Sequence, residues 1–237
     1  MAPVQGMGRE MINYLAQASI NTELLYSFVI IFVSLMIYFG TKDLYELTNH
    51  KGIKYFRLSF LFFAVSIFIR SILKFLFLFI DPRTIREIVF NLNVINPIIL
   101  FLFMYFSAMA IFSLLYSVMC KKWNGKCNLI LILNIVAVII ALISVVSGSS
   151  TIIFGIYLFL LLFVAFITFM AYKESKNKKK KINLYTVYIL LSAFWILNII
   201  DILVPNVLQA FQLIIYFVSI SIFLSILYKV LRKLGSN

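Results

Sequence analysis

Residues 66–80 read Ser66-Ile-Phe-Ile-Arg-Ser-Ile-Leu-Lys-Phe-Leu-Phe-Leu-Phe-Ile80. Two permanent cations, Arg70 and Lys74, stand one helical turn apart in a run otherwise made of Ile, Leu, Phe and Ser. The whole chain has the same character: 64% of its 237 residues are hydrophobic and only 12% are charged. Soluble domains average about half apolar and about a quarter charged. Apolar surface in such excess cannot be hidden inside a globule of this size, so the chain belongs in a bilayer.

Seven apolar segments reach the length of about 20 residues that a membrane helix needs. They are Leu24–Gly40, Phe56–Ile80, Pro97–Cys120, Leu129–Ser147, Ile152–Tyr172, Leu184–Val204 and Val207–Val230. Their continuity, without period-two alternation, favours helices over a barrel. The fold class expected is all-α: a polytopic, seven-transmembrane helix bundle, multi-pass in the cell membrane. Residues 1–22 form a short extracellular segment on this reading, 23–231 the bundle and 232–237 a cytoplasmic tail, with no soluble domain at either end. Met1–Asn21 lacks the basic start and apolar core of a signal peptide.

The net charge of +13 invites a nucleic-acid reading. The positive-inside rule accounts for it better, because the cations lie between the apolar segments. Lys42, Lys51, Lys54 and Arg57 follow the first span, and Lys121, Lys122 and Lys126 the third. Lys173, Lys176 and Lys178–Lys181 follow the fifth, and Lys229, Arg232 and Lys233 close the seventh. The opposite face carries Arg9, Arg83 and Arg86. The amino terminus is therefore expected outside and the carboxyl terminus in the cytoplasm. No nucleic-acid partner is expected. The run Lys178, Lys179, Lys180, Lys181 is a topology signal or, more sharply, a contact for anionic lipid or for a cytoplasmic or membrane protein partner.

Two connections carry local signals. Thr41–Lys51 should extend the first helix, with Gly52 as its C-terminal cap. Asp81-Pro82 reads as an N-cap and first-turn proline of a short surface helix with Ile85, Ile88, Val89 and Leu92 on its apolar side.

Polar residues inside the spans form stripes at helical spacing, which should face the interior rather than lipid. Ser59, Ser66, Arg70 and Lys74 make one; Gln209, Gln212, Tyr216 and Ser219 another; Trp195, Asn198 and Asp201 a third. Tyr105, Met109, Ser113 and Tyr116 align on the third span, and Asn134, Ala137, Ala141 and Ser144 on the fourth. At 1.5 Å per residue Arg70 lies about 20 Å, and Lys74 and Asp201 about 25 Å, from the cytoplasmic ends of their helices. Asp201 reads as the one acid within a span and the partner of Arg70 or Lys74. Two cations against one acid leave surplus positive charge. With Trp195, Asn198, Gln209 and Gln212 around it, that surplus suits a carboxylate, a phosphate or a lipid headgroup. The alternative is a purely structural pair, with the long cations snorkelling to the interface.

Chemistry for catalysis is sparse. The single histidine, His50, reads as a solvated helix-end residue. Cys120 and Cys127 flank a cytoplasmic turn, where thiols stay reduced; palmitoylation is the alternative. No cofactor, metal site or enzymatic activity is expected.

The stretch Leu44-Tyr-Glu-Leu-Thr-Asn-His-Lys-Gly-Ile-Lys-Tyr-Phe-Arg-Leu-Ser-Phe-Leu-Phe-Phe63 resembles a segment of uncharacterised archaeal seven-helix membrane proteins. Related architectures resemble the sensory input halves of histidine kinases. The likeness covers mainly the first two spans and implies a sensor-like or signalling-scaffold protein, without supplying site residues. A small transporter of three-plus-one-plus-three layout is the second reading, since spans 1–3 and 5–7 share orientation and Pro97 and Pro205 open the third of each set. A structural subunit of a membrane complex is the third.

Overall fold

A computed structural model describes the backbone of residues 3–79, 82–120, 128–176, 182–203 and 209–234. Side chains are described for 21–72, 97–120, 129–149, 151–173, 185–201 and 211–232. Among these residues the chain is all-helical. The helices are α1 (Pro3–Gly40), α2 (Lys42–Thr48), α3 (Lys51–Phe79), α4 (Pro82–Met119), α5 (Asn128–Ser147), α6 (Ser150–Lys176), α7 (Ile182–Leu203) and α8 (Gln209–Leu234). Six stretches are long and apolar enough to cross a membrane: Asn21–Thr48, Lys51–Ile72, Pro97–Met119, Leu129–Ser147, Thr151–Lys173 and Phe211–Arg232. The described part of α7, Tyr185–Asp201, is a shorter apolar helix.

Several local expectations are corrected. The expected first span, Leu24–Gly40, lies within α1, which is helical from Pro3, and the apolar stretch runs on through α2 to Thr48. The surface helix expected after Asp81-Pro82 is not separate, because α4 runs unbroken through Pro97 for 38 residues. A proline removes one backbone hydrogen bond, and helix packing in a membrane can hold the helix together regardless. The cap after the first span is not Gly52. A turn at Thr41 separates α1 from α2, and Asn49 ends α2 in the left-handed region (φ 47°), its N–H donating to the Tyr45 carbonyl at 2.8 Å. Asparagine visits this region more readily than most residues with a Cβ.

Gly52 instead sits in the first turn of α3. A Cβ there would lie 2.9 Å from the Ser117 carbonyl oxygen of α4 and 2.9 Å from the His50 ring. Glycine therefore permits the close approach of α3 to α4. His50 accepts the Gly52 N–H on Nδ1 at 3.1 Å, so it caps the start of α3 rather than standing free in solvent. Gly148, at φ +56°, closes α5 before α6 begins at Ser150.

The packing order is a closed ring: α1 against α3, α3 against α4, α4 against α6, α6 against α7, α7 against α8, and α8 back against α1. α5 lies outside it, on α4 and α6. Exchanging α1, α3, α4 for α6, α7, α8 maps this order onto itself. The middle helices of the two triplets, α3 and α7, meet across the ring through large side chains. Phe56 and Tyr188 have ring centroids 6.4 Å apart, and Phe63 and Phe194 5.3 Å apart. Phe223 of α8 stacks on Phe63 at 5.5 Å and meets Phe194 edge-on at 4.4 Å. The ring centre is thus filled with aromatic side chains.

The polar stripes face inward. Ser59, Ser66, Ser113, Ser144 and Ser219 are all buried, as are Met109, Tyr116, Ala137 and Ala141. Ser66 and Ser107 share a 2.6 Å hydrogen bond between α3 and α4. The Tyr105 hydroxyl donates to Asn134 Oδ1 at 3.4 Å, which ties α5 to α4. Large residues such as Phe28, Phe32, Leu131, Leu162 and Phe217 are left exposed. In water they would be a liability; in lipid they are the expected outer surface.

Candidate functional site

Three helices bring charge together at one end of the ring. Arg70 projects from α3 inside the stripe that also carries Ser59 and Ser66. One of its guanidinium nitrogens, Nη2, donates to Glu23 Oε1 of α1 at 3.3 Å and to Asp201 Oδ2 of α7 at 3.3 Å. Asp201 is 7% exposed, Glu23 13% and Arg70 30%, so the clamp is buried on its acidic side and opens at the guanidinium. A charge at such a depth needs partners, because an ion stripped of water is otherwise strongly disfavoured.

Aromatic side chains wall the clamp. Tyr26 of α1 stacks on Tyr216 of α8 at 4.5 Å. Tyr157 of α6 approaches Trp195 of α7 at 6.3 Å. Tyr26, Tyr157 and Tyr216 all lie within electrostatic range of Arg70. Two helical turns deeper on α3, a small apolar cavity of about 40 Å³ lies beside the aromatic contacts between the ring's halves, lined by Ser59 and Phe63 on one side and Phe194, Trp195 and Phe223 on the other. Trp195 Nε1 is buried there without a hydrogen-bond partner among the described residues.

The sequence-derived candidates divide. Arg70 and Asp201 meet. Trp195 is buried two turns from Asp201 on the same helix. Asn198 turns its amide back to the Phe194 carbonyl of its own helix at 2.9 Å. Gln212 is half-buried on α8. The side chains of Lys74 and Gln209, and the run Lys178, Lys179, Lys180, Lys181, lie outside the described residues. Among the described residues no group of three or more His, Cys, Asp or Glu could hold a metal.

Glu23 is the residue that sequence reasoning missed. It stands one residue ahead of the first apolar run and so is not counted as an acid within a span, yet it lies within a stretch long and apolar enough to cross a membrane. A signal was present: Glu23, Tyr26, Ile30, Val33 and Ile37 follow the three-and-four spacing of one helix face, and the last four are buried. Its inclusion adds an acid that the expected balance of two cations against one leaves out. Among the described side chains two carboxylates meet the Arg70 guanidinium, so an anion arriving there competes with carboxylates already in place.

Arg57 is the second omission. Counted as a loop cation, it donates from Nε to the Tyr38 carbonyl at 3.0 Å and lies over the Tyr38 ring at 4.8 Å. It therefore adds a donor to a carbonyl at the end of α1 that the Thr41 hydroxyl also meets at 3.3 Å, where the helix dipole favours a cation.

No protein-family model matches the chain, and no solved structure matches it. An uncharacterized protein of the archaeon Archaeoglobus fulgidus is 28% identical over 217 residues, which cover 91% of this chain and 93% of that protein.

Proposed function

We propose that the chain is a seven-crossing membrane sensor or signalling scaffold, amino terminus outside and carboxyl terminus cytoplasmic, with the Arg70 clamp as its input element. One observation carries this reading: a single guanidinium nitrogen joins carboxylates from α1 and α7 across the end of the ring, over an interior packed with Phe63, Phe194 and Phe223. Such a clamp holds one helix arrangement. An anion that takes Arg70 away from a carboxylate binds the released arrangement better, and that difference in affinity is what shifts the population. A carboxylate, a phosphate or a lipid headgroup has the required chemistry. The lysine-rich connection at 178–181 would meet anionic lipid or the partner that receives the signal.

The test is direct competition. The protein in phosphatidylcholine nanodiscs is titrated with inorganic phosphate, acetate or phosphatidylglycerol, and thermal unfolding is followed. Glu23→Gln removes the more exposed competitor and should strengthen the anion's effect; Arg70→Gln should abolish it. An anion response that survives intact in Arg70→Gln defeats the proposal.

Transport of a small solute is the second reading. The mapping of α1, α3, α4 onto α6, α7, α8 supports it, because parallel repeats are a transporter plan. The aromatic filling of the ring centre weighs the other way. Solute uptake by sealed proteoliposomes, dependent on the protein, would turn the choice toward transport.

A further inference from the structure

We infer that α1, α3 and α4 move as one body and α6, α7 and α8 as a second, rocking on the α3–α7 seam with Arg70–Asp201 as the catch at one end. The seam is independent of whether the clamp answers a ligand or gates a solute.

Its geometry is regular. Phe56 meets Tyr188, Phe63 meets Phe194, and Arg70 meets Asp201. The α3 members are seven residues apart each time, and both members of each pair advance together along the chain. The two helices are therefore parallel and touch once every two turns, the repeat of a two-helix seam. α3 and α7 meet through long side chains at three separated levels, and the triplets also join where Tyr26 of α1 stacks on Tyr216 of α8 at 4.5 Å and where Phe112 of α4 meets Phe163 of α6 at 5.5 Å. Within the first triplet Ser66 and Ser107 join α3 to α4 by a 2.6 Å hydrogen bond.

The packing defect lies on the same boundary. The 40 Å³ cavity is lined by Ser59, Phe63 and Ala110 from the first triplet and by Phe194, Trp195 and Phe223 from the second. The Trp195 indole N–H, which has no partner among the described residues, lies in that boundary too. Close-packed interiors resist continuous deformation and move between discrete packings. A gap and an unsatisfied donor on the seam mark where an alternative packing is least opposed.

The measurement is double electron–electron resonance on the full chain in lipid nanodiscs, with Cys120 and Cys127 replaced by serine. Spin labels go on lipid-facing positions at the clamp end. Ile98 of α4 with Phe211 of α8 reports between the bodies, and Leu25 of α1 with Ile98 reports within one. Arg70→Gln and the isosteric Asp201→Asn should lengthen Ile98–Phe211 and leave Leu25–Ile98 unchanged. Adding Ala110→Val to Asp201→Asn fills the gap and should reverse the lengthening. A change in Leu25–Ile98 of the same size, or an unaltered Ile98–Phe211 distance in Asp201→Asn, overturns the two-body seam.

Discussion

Arg70 and Asp201 are 131 positions apart in the chain and 3.3 Å apart in space. Phe63 and Phe194, also 131 positions apart, face each other two turns deeper. The charged pair is thus the end rung of a ladder between α3 and α7, not an isolated surface contact. Its position explains why both ions tolerate burial: each is held by a neighbour that the helix pairing brings to the same height.

The clamp should be strongly non-additive. Arg70→Gln takes the shared cation from two carboxylates, a loss on the order of 3–5 kcal/mol where a buried pair is broken from one side. Asp201→Asn leaves Arg70 with Glu23 and should lose less, about 1.5–3 kcal/mol for a charged hydrogen bond. The double variant should be no worse than Arg70→Gln alone. Reversible unfolding in mixed micelles measures all three, and simple additivity would mean that the two residues do not interact.

Gly52→Ala sets two effects against each other. Alanine is favoured over glycine in a helix by about 1 kcal/mol. The new methyl would, however, meet the Ser117 carbonyl oxygen at 2.9 Å, and backbone on a packed helix cannot turn aside. Overpacking of this kind typically destabilises by about 1–3 kcal/mol. The variant should therefore be less stable than the parent in the same unfolding assay. A rise in stability would show that α3 and α4 separate easily at this end.

Arg57→Ala should lower stability by about 1–2 kcal/mol, the scale of one hydrogen bond plus a partly exposed cation–π contact. Arg57→Lys should rescue little, because a point charge on a flexible stem cannot reproduce both the Nε hydrogen bond and the planar stacking. Melting temperatures of the two variants, compared at low and high salt, separate geometry from charge. Full rescue by lysine would reduce Arg57 to a bulk topology charge.

Much of the bundle was legible in the residues themselves. Hydropathy and length mark the spans, and three-and-four spacing picks the buried face. Ser59, Ser66, Tyr116 and Ser219 lie where their stripes place them, since helical periodicity is a local property written at every turn. Lipid exposure reinforces that local signal, because a polar group turned outward has no water to meet.

Other features needed the fold. Glu23 joins the clamp because α1 packs beside α3, and no property of residue 23 alone says which helix it will face. The continuity of α4 through Pro97, and the placing of α5 outside the ring, follow from neighbours distant in the chain. The same holds for the meeting of two carboxylates at Arg70. Sequence fixes which residues share a face of one helix; which faces meet is decided by the simultaneous packing of all the helices, and that is a property of no single segment.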